Sequence, residues 1–395
     1  MRKFIHIDMD CFFAAVEMRE DPTLRDIPMA VGGSPEGRGV ISTSNYPARK
    51  FGVRSGISSA MAMKLCPHLK IVSHSFHSYK AEAEKIHEIF YDYTDLVEIA
   101  GLDEAYLDVT DSPLFNGSAT LIARDIKRRI FEATQLTASA GVAPNMFLAK
   151  VASDWNKPNG LFVIRPQDVD AFSLNLPVGK IPGVGKVSEA KMHALGIKTC
   201  ADLRKMPLHE LQLHFGKWAS SLRERAYGRS DREICLEYER KSLSTEETFA
   251  KDLSYSELEG GALQTVIEEF ERRYKKFRLR EPDWPYPPHT LFLKLKFHDF
   301  VNVSVQKSLP VEAFDYLNTE HKLDDDLFHQ LCDLLKMAYN RGKRPARLLG
   351  IGIRFAQDPQ TERQLSLFDQ QTLENLVELN FASHHQSTLH RSRAS

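Results

Sequence analysis

Two short apolar runs with acids set into them constrain this chain more than any other feature. The first is Ile5-His6-Ile7-Asp8-Met9-Asp10-Cys11-Phe12-Phe13-Ala14; the second, far downstream, is Leu102-Asp103-Glu104-Ala105-Tyr106-Leu107-Asp108-Val109. Each has the apolar content of a buried strand. An Asp at a strand end is commonly a cap or turn residue, but two such runs ask for more. Carboxylates in apolar surroundings are costly unless they are paired or bind a cation. Acids converging from two strands suit a hard divalent ion such as Mg²⁺, which takes a few carboxylates together with substrate phosphates. Two such ions, about 3.5–4 Å apart, activate an attacking oxygen and stabilise a leaving one in phosphoryl transfer. The pair of runs therefore predicts a two-metal nucleotidyl-transfer site. Neighbours on a regular strand point to opposite faces, so Asp103 and Glu104 share a site only at a strand end, turn or bulge. Gly101, just ahead of them, makes such an irregularity available. Asp10 is assigned a structural role, with alternation directing it away from the neighbours of Asp8.

At 395 residues the chain has room for roughly two to four domains. With 42% hydrophobic and 27% charged residues it has the make-up of a globular protein. The net charge of −1 does not by itself mark a nucleic-acid binder, so any DNA surface must come from segregated charge. Five cysteines (Cys11, Cys66, Cys200, Cys235, Cys332) show no zinc spacing and fit reduced thiols. No signal peptide and no apolar run long enough to span a bilayer is evident, so the expected compartment is the cytoplasm, or the nucleoid in a bacterium.

The run Ile7 to Glu17 resembles the opening signature of Y-family translesion DNA polymerases, and Leu102 to Asp108 their second metal motif. Gly39-Val40-Ile41-Ser42-Thr43-Ser44-Asn45-Tyr46-Pro47-Ala48-Arg49-Lys50-Phe51-Gly52-Val53-Arg54 is similar to a third. Together they look most like the bacterial DNA polymerase IV (DinB) branch, densely to about residue 230 and more loosely to about residue 370. One departure is Gly101, where the family usually has Ser; a local backbone effect is expected, without loss of activity.

The resemblance implies a multidomain α+β right-hand polymerase. Its parts would be a ferredoxin-like palm (1–10 and 74–165), small fingers (11–73), a helical helix-hairpin-helix thumb (166–230), a linker (231–241), a ferredoxin-like little finger (242–356) and a tail (357–395). It also implies residue roles. Asp8, Asp103 and Glu104, with the backbone carbonyl of Met9, would hold two Mg²⁺ ions. Phe13 would be the steric gate that fills the space of a ribose 2′-OH, with Tyr79 packed beside it. Phe12 would meet the sugar through its backbone, Ser42 and Thr43 would lie by the incoming base, and Tyr46, Arg49 and Lys157 would hold the triphosphate of the dNTP. Arg suits phosphate through its planar fork of donors.

Elsewhere the pattern gives helices over 11–20, 59–65 with Ser58 as N-cap, 79–93, 118–133 and 145–156, and a strand over 136–142. In 118–133 the apolar members Leu121, Ile122, Ile126 and Ile130 are read on one side. Pro28–Gly32 and Gly39–Thr43 read as strands. In Ile181-Pro182-Gly183-Val184-Gly185-Lys186, Gly183 and Gly185 free backbone N–H groups for a DNA phosphate, and Lys186 and Lys191 add charge. Beyond the linker a second β-α-β-β-α-β unit is expected, with a helix over 257–279. Leu291 to Phe297 alternates there, placing Lys294 and Lys296 on one sheet face, either along DNA or solvated. Gln364-Leu365-Ser366-Leu367-Phe368 sets apolar side chains among polar ones and resembles the peptide that docks on the β sliding clamp. A short helix over 370–380 is expected after it. The implied partners are thus primer-template DNA, dNTPs and the clamp, with no membrane and a monomeric state. Two rivals remain at this point: a non-catalytic, DNA-binding relic that recruits the clamp, and a nucleotide cyclase on a similar palm.

Overall fold

The computed structural model describes residues 1–236 and 239–356. The chain divides into two units, 1–238 and 239–395. The first opens with β1 (Phe4–Met9), α1 (Phe12–Glu20), β2 (Met29–Gly32), β3 (Ile41–Ser44), α2 (Tyr46–Arg49), α3 (Ser59–Leu65) and β4 (Lys70–Val72). It continues through α4 (Phe76–Tyr91), β5 (Val97–Ile99), β6 (Glu104–Asp108), α5 (Ala119–Thr134), β7 (Ala138–Ala143), α6 (Met146–Ser153) and β8 (Leu161–Val163).

The palm is a sheet ordered β5-β6-β1-β7-β8, with β1 antiparallel to both neighbours and β8 parallel to β7. Its chain order β1-α4-β5-β6-α5-β7 is the expected β-α-β-β-α-β, and each β-α-β pair brackets a third strand, as in split βαβ folds. Strand alternation sorts β1 into two sets. Ile5, Ile7 and Met9 are buried in one core with Ile86, Phe90, Ile122, Ile126 and Ile130 from α4 and α5. Burying each aliphatic side chain contributes about 1.5–3 kcal/mol, which fixes the register of β1. Phe4 belongs to a second core with Phe147, Leu148 and Val151 of α6, so the face of Phe4, His6 and Asp8 looks at that helix. α6 crosses β7 at Gly141, where any Cβ would stand 2.0 Å from the Ala149 carbonyl oxygen. Leu121 departs from expectation: it is 42% exposed, while Ile122, Ile126 and Ile130, four apart, lie in the buried stripe with Ala119 and Ala123.

The fingers sheet is ordered β3-β2-β4 and has its own core of Ala30, Ile41, Ala48, Val53, Ala62, Cys66 and Leu69. Ser58 caps α3 as expected, accepting the Met61 N–H at 3.2 Å. The thumb comprises α7 (Val169–Leu174), α8 (Lys186–Ala194), α9 (Cys200–Lys205), α10 (Leu208–Phe215) and α11 (Trp218–Ala226). Its buried Ile181, Met192, Leu203, Leu211 and Leu222 are continuous with the α6 side of the palm. Part of the stretch expected as a linker is fastened down: Arg232 pairs with Glu98, next to which the Cys235 N–H donates to Glu98 Oε2 at 2.9 Å.

The second unit contains β9 (Ser242–Leu253), α12 (Tyr255–Glu257), α13 (Leu263–Arg280), β10 (Pro288–Phe297), β11 (Asn302–Ser308), α14 (Asp315–Glu320), α15 (Asp325–Gly342) and β12 (Ala346–Phe355). The helix expected from 257 starts regularly only at Leu263, because the backbone leaves helical geometry at Gly261. Its antiparallel sheet is ordered β11-β10-β12-β9. Chain order matches the palm, but strand placement differs. The palm unit is centred on its first and third strands, the little finger on its second and fourth. Leu291, Leu293 and Leu295 pack under α13 and α15, and among the described residues of this unit no helix covers the face of Lys294 and Lys296.

Candidate active site

Asp8 ends the regular part of β1 opposite Glu104, the first residue of β6. The chain bends ahead of β6: the Ala100 and Gly101 N–H groups both donate to the Glu104 carbonyl, at 3.1 and 3.2 Å, and Met9 N–H donates to the Asp103 carbonyl at 2.9 Å. Asp103 therefore stands outside the ladder, which is how adjacent acids reach the same end of the sheet.

The charges there are answered from α6 and the loop after it. Lys157 Nζ lies 2.5 Å from Asp8 Oδ1, and Lys150 pairs with Glu104 Oε2. His6, wholly buried, bonds Ser153 Oγ through Nδ1 at 2.8 Å and turns Nε2 to Glu104 at 3.5 Å. Burial raises the pKa of Asp8 against the pull of Lys157, and burial beside Glu104 raises that of Asp103. Glu104 goes the other way, to about 2, through His6 and then Lys150. Two of the acids are thus costly to ionise, and a cation would relieve them. The donor set, three carboxylates and the Met9 carbonyl, is all hard oxygen and fits Mg²⁺. Among the described residues no three His, Cys, Asp or Glu side chains are already gathered at metal distance. Lys157 meets Asp8 at Oδ1 and Lys150 meets Glu104 at Oε2, which places two ammonium groups beside the candidate ligands.

A cleft of about 170 Å³ beside the acids is lined by Asp8, Met9, Phe12, Phe13, Ser42, Thr43, Arg49, Asp103 and Lys157, with Cys11 and Ser55. Phe13 and Tyr79 stack, with centroids 4.3 Å apart and planes at 12°, and Tyr79 Oη donates to Glu17 at 2.5 Å. Tyr46 does not line this cleft. Its ring lies under the Arg49 guanidinium at 4.7 Å and its hydroxyl faces Asp10 at 3.4 Å. Both are set by Asn45, fully buried, whose Oδ1 accepts from Ala48 N–H at 3.0 Å and Met29 N–H at 3.1 Å. Cys11 turns the chain in a left-handed conformation (φ 43°), and the α1 N-terminus has no side-chain cap.

Asp10 is structural, but not for the reason strand alternation suggests. Residues two apart share a face; what separates Asp10 from Asp8 is the end of β1 at Met9. Asp10 then accepts from Thr137 Oγ1 and Ser139 Oγ, both at 2.8 Å, and from Asn159 N–H at 2.7 Å. Lys150, His6, Glu17, Asn45 and Ser55 are residues that sequence reasoning missed. One signal was present: Lys150 is a lone charge in the apolar run Met146-Phe147-Leu148-Ala149-Lys150-Val151-Ala152.

In the thumb, Gly183 takes φ +92° and Gly185 caps α8 with no side chain, leaving that N-terminus and exposed Lys186 open. Exposed Lys191 donates to the His214 carbonyl at 2.5 Å and sits over Phe215. On the little finger, Lys294 bonds Glu246 at 2.8 and 3.1 Å. The clamp-like peptide (Gln364, Leu365, Leu367, Phe368) and the helix expected over 370–380 lie outside the described residues.

Acids on the two central strands of a split-βαβ palm, small fingers bordering the same cleft and a helical thumb behind α6 define a polymerase of the right-hand class. Models of the impB/mucB/samB family and its C-terminal domain match residues 7–154 and 240–367, and a model of the DNA polymerase-iota thumb domain matches 179–221. The chain is 50% identical over 369 residues to DNA polymerase IV of Escherichia coli K12, covering 93% of this chain and 99% of the relative, and equally to that of Shigella sonnei. Among solved structures, a Y-family Dbh-Dpo4-Dbh chimera superposes with TM-score 0.75 at 28% identity, covering 89% of this chain and 98% of the other. An insertion ternary complex of Dbh DNA polymerase gives 0.60 at the same identity and coverage. The chain belongs to the Y family of translesion DNA polymerases, in the DNA polymerase IV branch. It is a DNA-directed DNA polymerase.

Proposed function

We propose that this polymerase adds dNTPs to a primer 3′-OH by a two-metal mechanism, at low fidelity and without proofreading, and that it is recruited by the β sliding clamp. The observation that carries the proposal is the single cleft shared by Asp8, Met9, Asp103, Phe12, Phe13, Arg49 and Lys157. Asp8, Asp103, Glu104 and the Met9 carbonyl would hold two Mg²⁺ ions, which when bound acidify the primer hydroxyl and offset phosphate charge. Lys157 leaves Asp8 and turns to the triphosphate, joined by Arg49 and by the uncapped N–H groups at the start of α1. Tyr46 supports Arg49 from beneath. The 3′-oxygen bonds to the α-phosphorus and pyrophosphate leaves. The Phe13 ring, backed by Tyr79, takes the space of a 2′-OH, so a ribonucleotide meets a wall of carbon with no hydrogen-bond partner.

The α8 N-terminus with Gly183, Gly185 and Lys186, and the open face with Lys294 and Lys296, would grip primer-template DNA without reading sequence. Gln364, Leu365, Leu367 and Phe368 would dock in a hydrophobic groove of the clamp. We place the protein, as a monomer, with DNA in the bacterial cytoplasm; its five cysteines are all free thiols, and no described helix is long and apolar enough to cross a membrane.

Primer extension with Mg²⁺ tests the proposal. Wild type should extend with dNTPs only, Asp103→Ala should lose at least about a thousandfold in rate, and Phe13→Val should admit rNTPs. A protein that binds primer-template yet never extends it would leave only the recruiting relic. Replacing Leu367 and Phe368 by Ala should abolish stimulation by added clamp.

A further inference from the structure

A series of side-chain contacts runs from the base side of the cleft to its sugar side through two residues that do not line it. At one end Ser42, on β3, borders the cleft. Its Oγ is hydrogen-bonded to His74 Nε2 at 2.5 Å. The His74 ring lies flat on Phe76, with centroids 5.2 Å apart and planes at 3°. Phe76 meets Phe13 edge-on at 5.9 Å and 75°, and Tyr79 at 5.8 Å and 69°. Phe13 and Tyr79 stack, and Glu17 holds the Tyr79 hydroxyl at the far end.

We propose that His74 is a specificity-determining positioning residue that ties recognition of the base to exclusion of the ribose hydroxyl, a role that rests on Phe13 being the sugar gate. Glu17 fixes the Tyr79 side of the gate. On the other side Phe13 abuts Phe76, a residue 53% exposed at the first position of α4, on whose ring His74 lies flat. His74 is in turn tethered to the fingers by Ser42. Bulk that displaces Ser42 therefore loosens the packing behind Phe13, and a loosened Phe13 gives way to a 2′-OH. Sugar selectivity and tolerance of an ill-fitting base are then one property of the cleft. Coupling along such a series is read from non-additivity.

The test is the ratio of kcat/KM for a dNTP to that for the matching rNTP, with the full chain on one primer-template, for wild type, Ser42→Ala, His74→Ala, the double variant and Phe13→Val. Losing one aromatic contact or its tether should lower the ratio roughly three- to tenfold. Ser42→Ala should do so although it lies on the base side, and the double variant should fall no further than His74→Ala. His74→Phe keeps a ring on Phe76 without the bond to Ser42 and should match Ser42→Ala, which guards against a mere folding effect. If Phe13→Val collapses the ratio while Ser42→Ala and His74→Phe keep the wild-type value, the coupling is refuted and the gate stands. If Phe13→Val keeps the wild-type ratio, the gate itself falls and His74 loses its role with it.

Discussion

Lys150 is the one residue of α6 that is not buried, and it ends on Glu104, a carboxylate we propose as a metal ligand. A cation that takes Glu104 competes with Lys150 for the carboxylate. A part-exposed ion pair is worth up to about 1 kcal/mol, so Lys150→Met should lower the Mg²⁺ concentration for half-maximal extension roughly three- to fivefold. A midpoint that rises instead would mean Lys150 presents Glu104 to the metal. Gly101 acts on the neighbouring acid. A Cβ there would lie 3.2 Å from Asp103 Oδ1 and 3.5 Å from Glu104 Cγ, close enough to push the carboxylate. Gly101→Ser should keep polymerase activity but raise the Mg²⁺ midpoint about twofold or more, as crowding does in a packed site. An unchanged midpoint would show that the bend opens to take the side chain. The acids themselves were legible in the sequence because charge inside an apolar strand is costly. Lys150 and His6 were harder to see, since what matters about them is the crossing of α6 over β7, a contact that no local pattern encodes.

At the scale of elements, α2 is only four residues long, too short for hydrophobic periodicity, and is held by its cap. Asn45 Oδ1 accepts two backbone N–H groups while Nδ2 donates to the Ile27 carbonyl at 2.8 Å. Asn45→Ala leaves these buried groups unanswered and should cost about 2 kcal/mol in urea unfolding. It should also raise KM for dNTPs, because Tyr46 and Arg49 ride on that turn; loss of stability with KM intact would separate the cap from the site. The resemblance pointed to Tyr46 and Arg49, of which Arg49 lines the cleft, and Asn45, which caps their turn, was passed over. Ser58 was legible because a longer periodic run follows it. Leu121 misled because the buried stripe continues from Ile122 to Ala123 on its other side, a choice between adjacent neighbours that the apolar pattern leaves open.

For the whole molecule, a net charge of −1 leaves DNA binding to local surfaces. Lys296→Ala should weaken primer-template affinity and reduce the slope of log affinity against log salt by about one. Lys294→Ala should do less, since Glu246 already shares its charge. Titrations by fluorescence anisotropy over a salt series would show it, and equal effects would mean the Glu246 pair opens on DNA. The two β-α-β-β-α-β units were legible from periodicity; their different strand placements were not, because chain order is compatible with both. One last consequence follows from the lysines on Asp8 and Glu104. By supplying internal counter-charge, they let the chain reach its folded form without waiting for a divalent ion. If the proposed ions sit there, assembly and activity should separate: a chelator should silence this polymerase while leaving its melting temperature unmoved, and restoring Mg²⁺ should revive it with no refolding step.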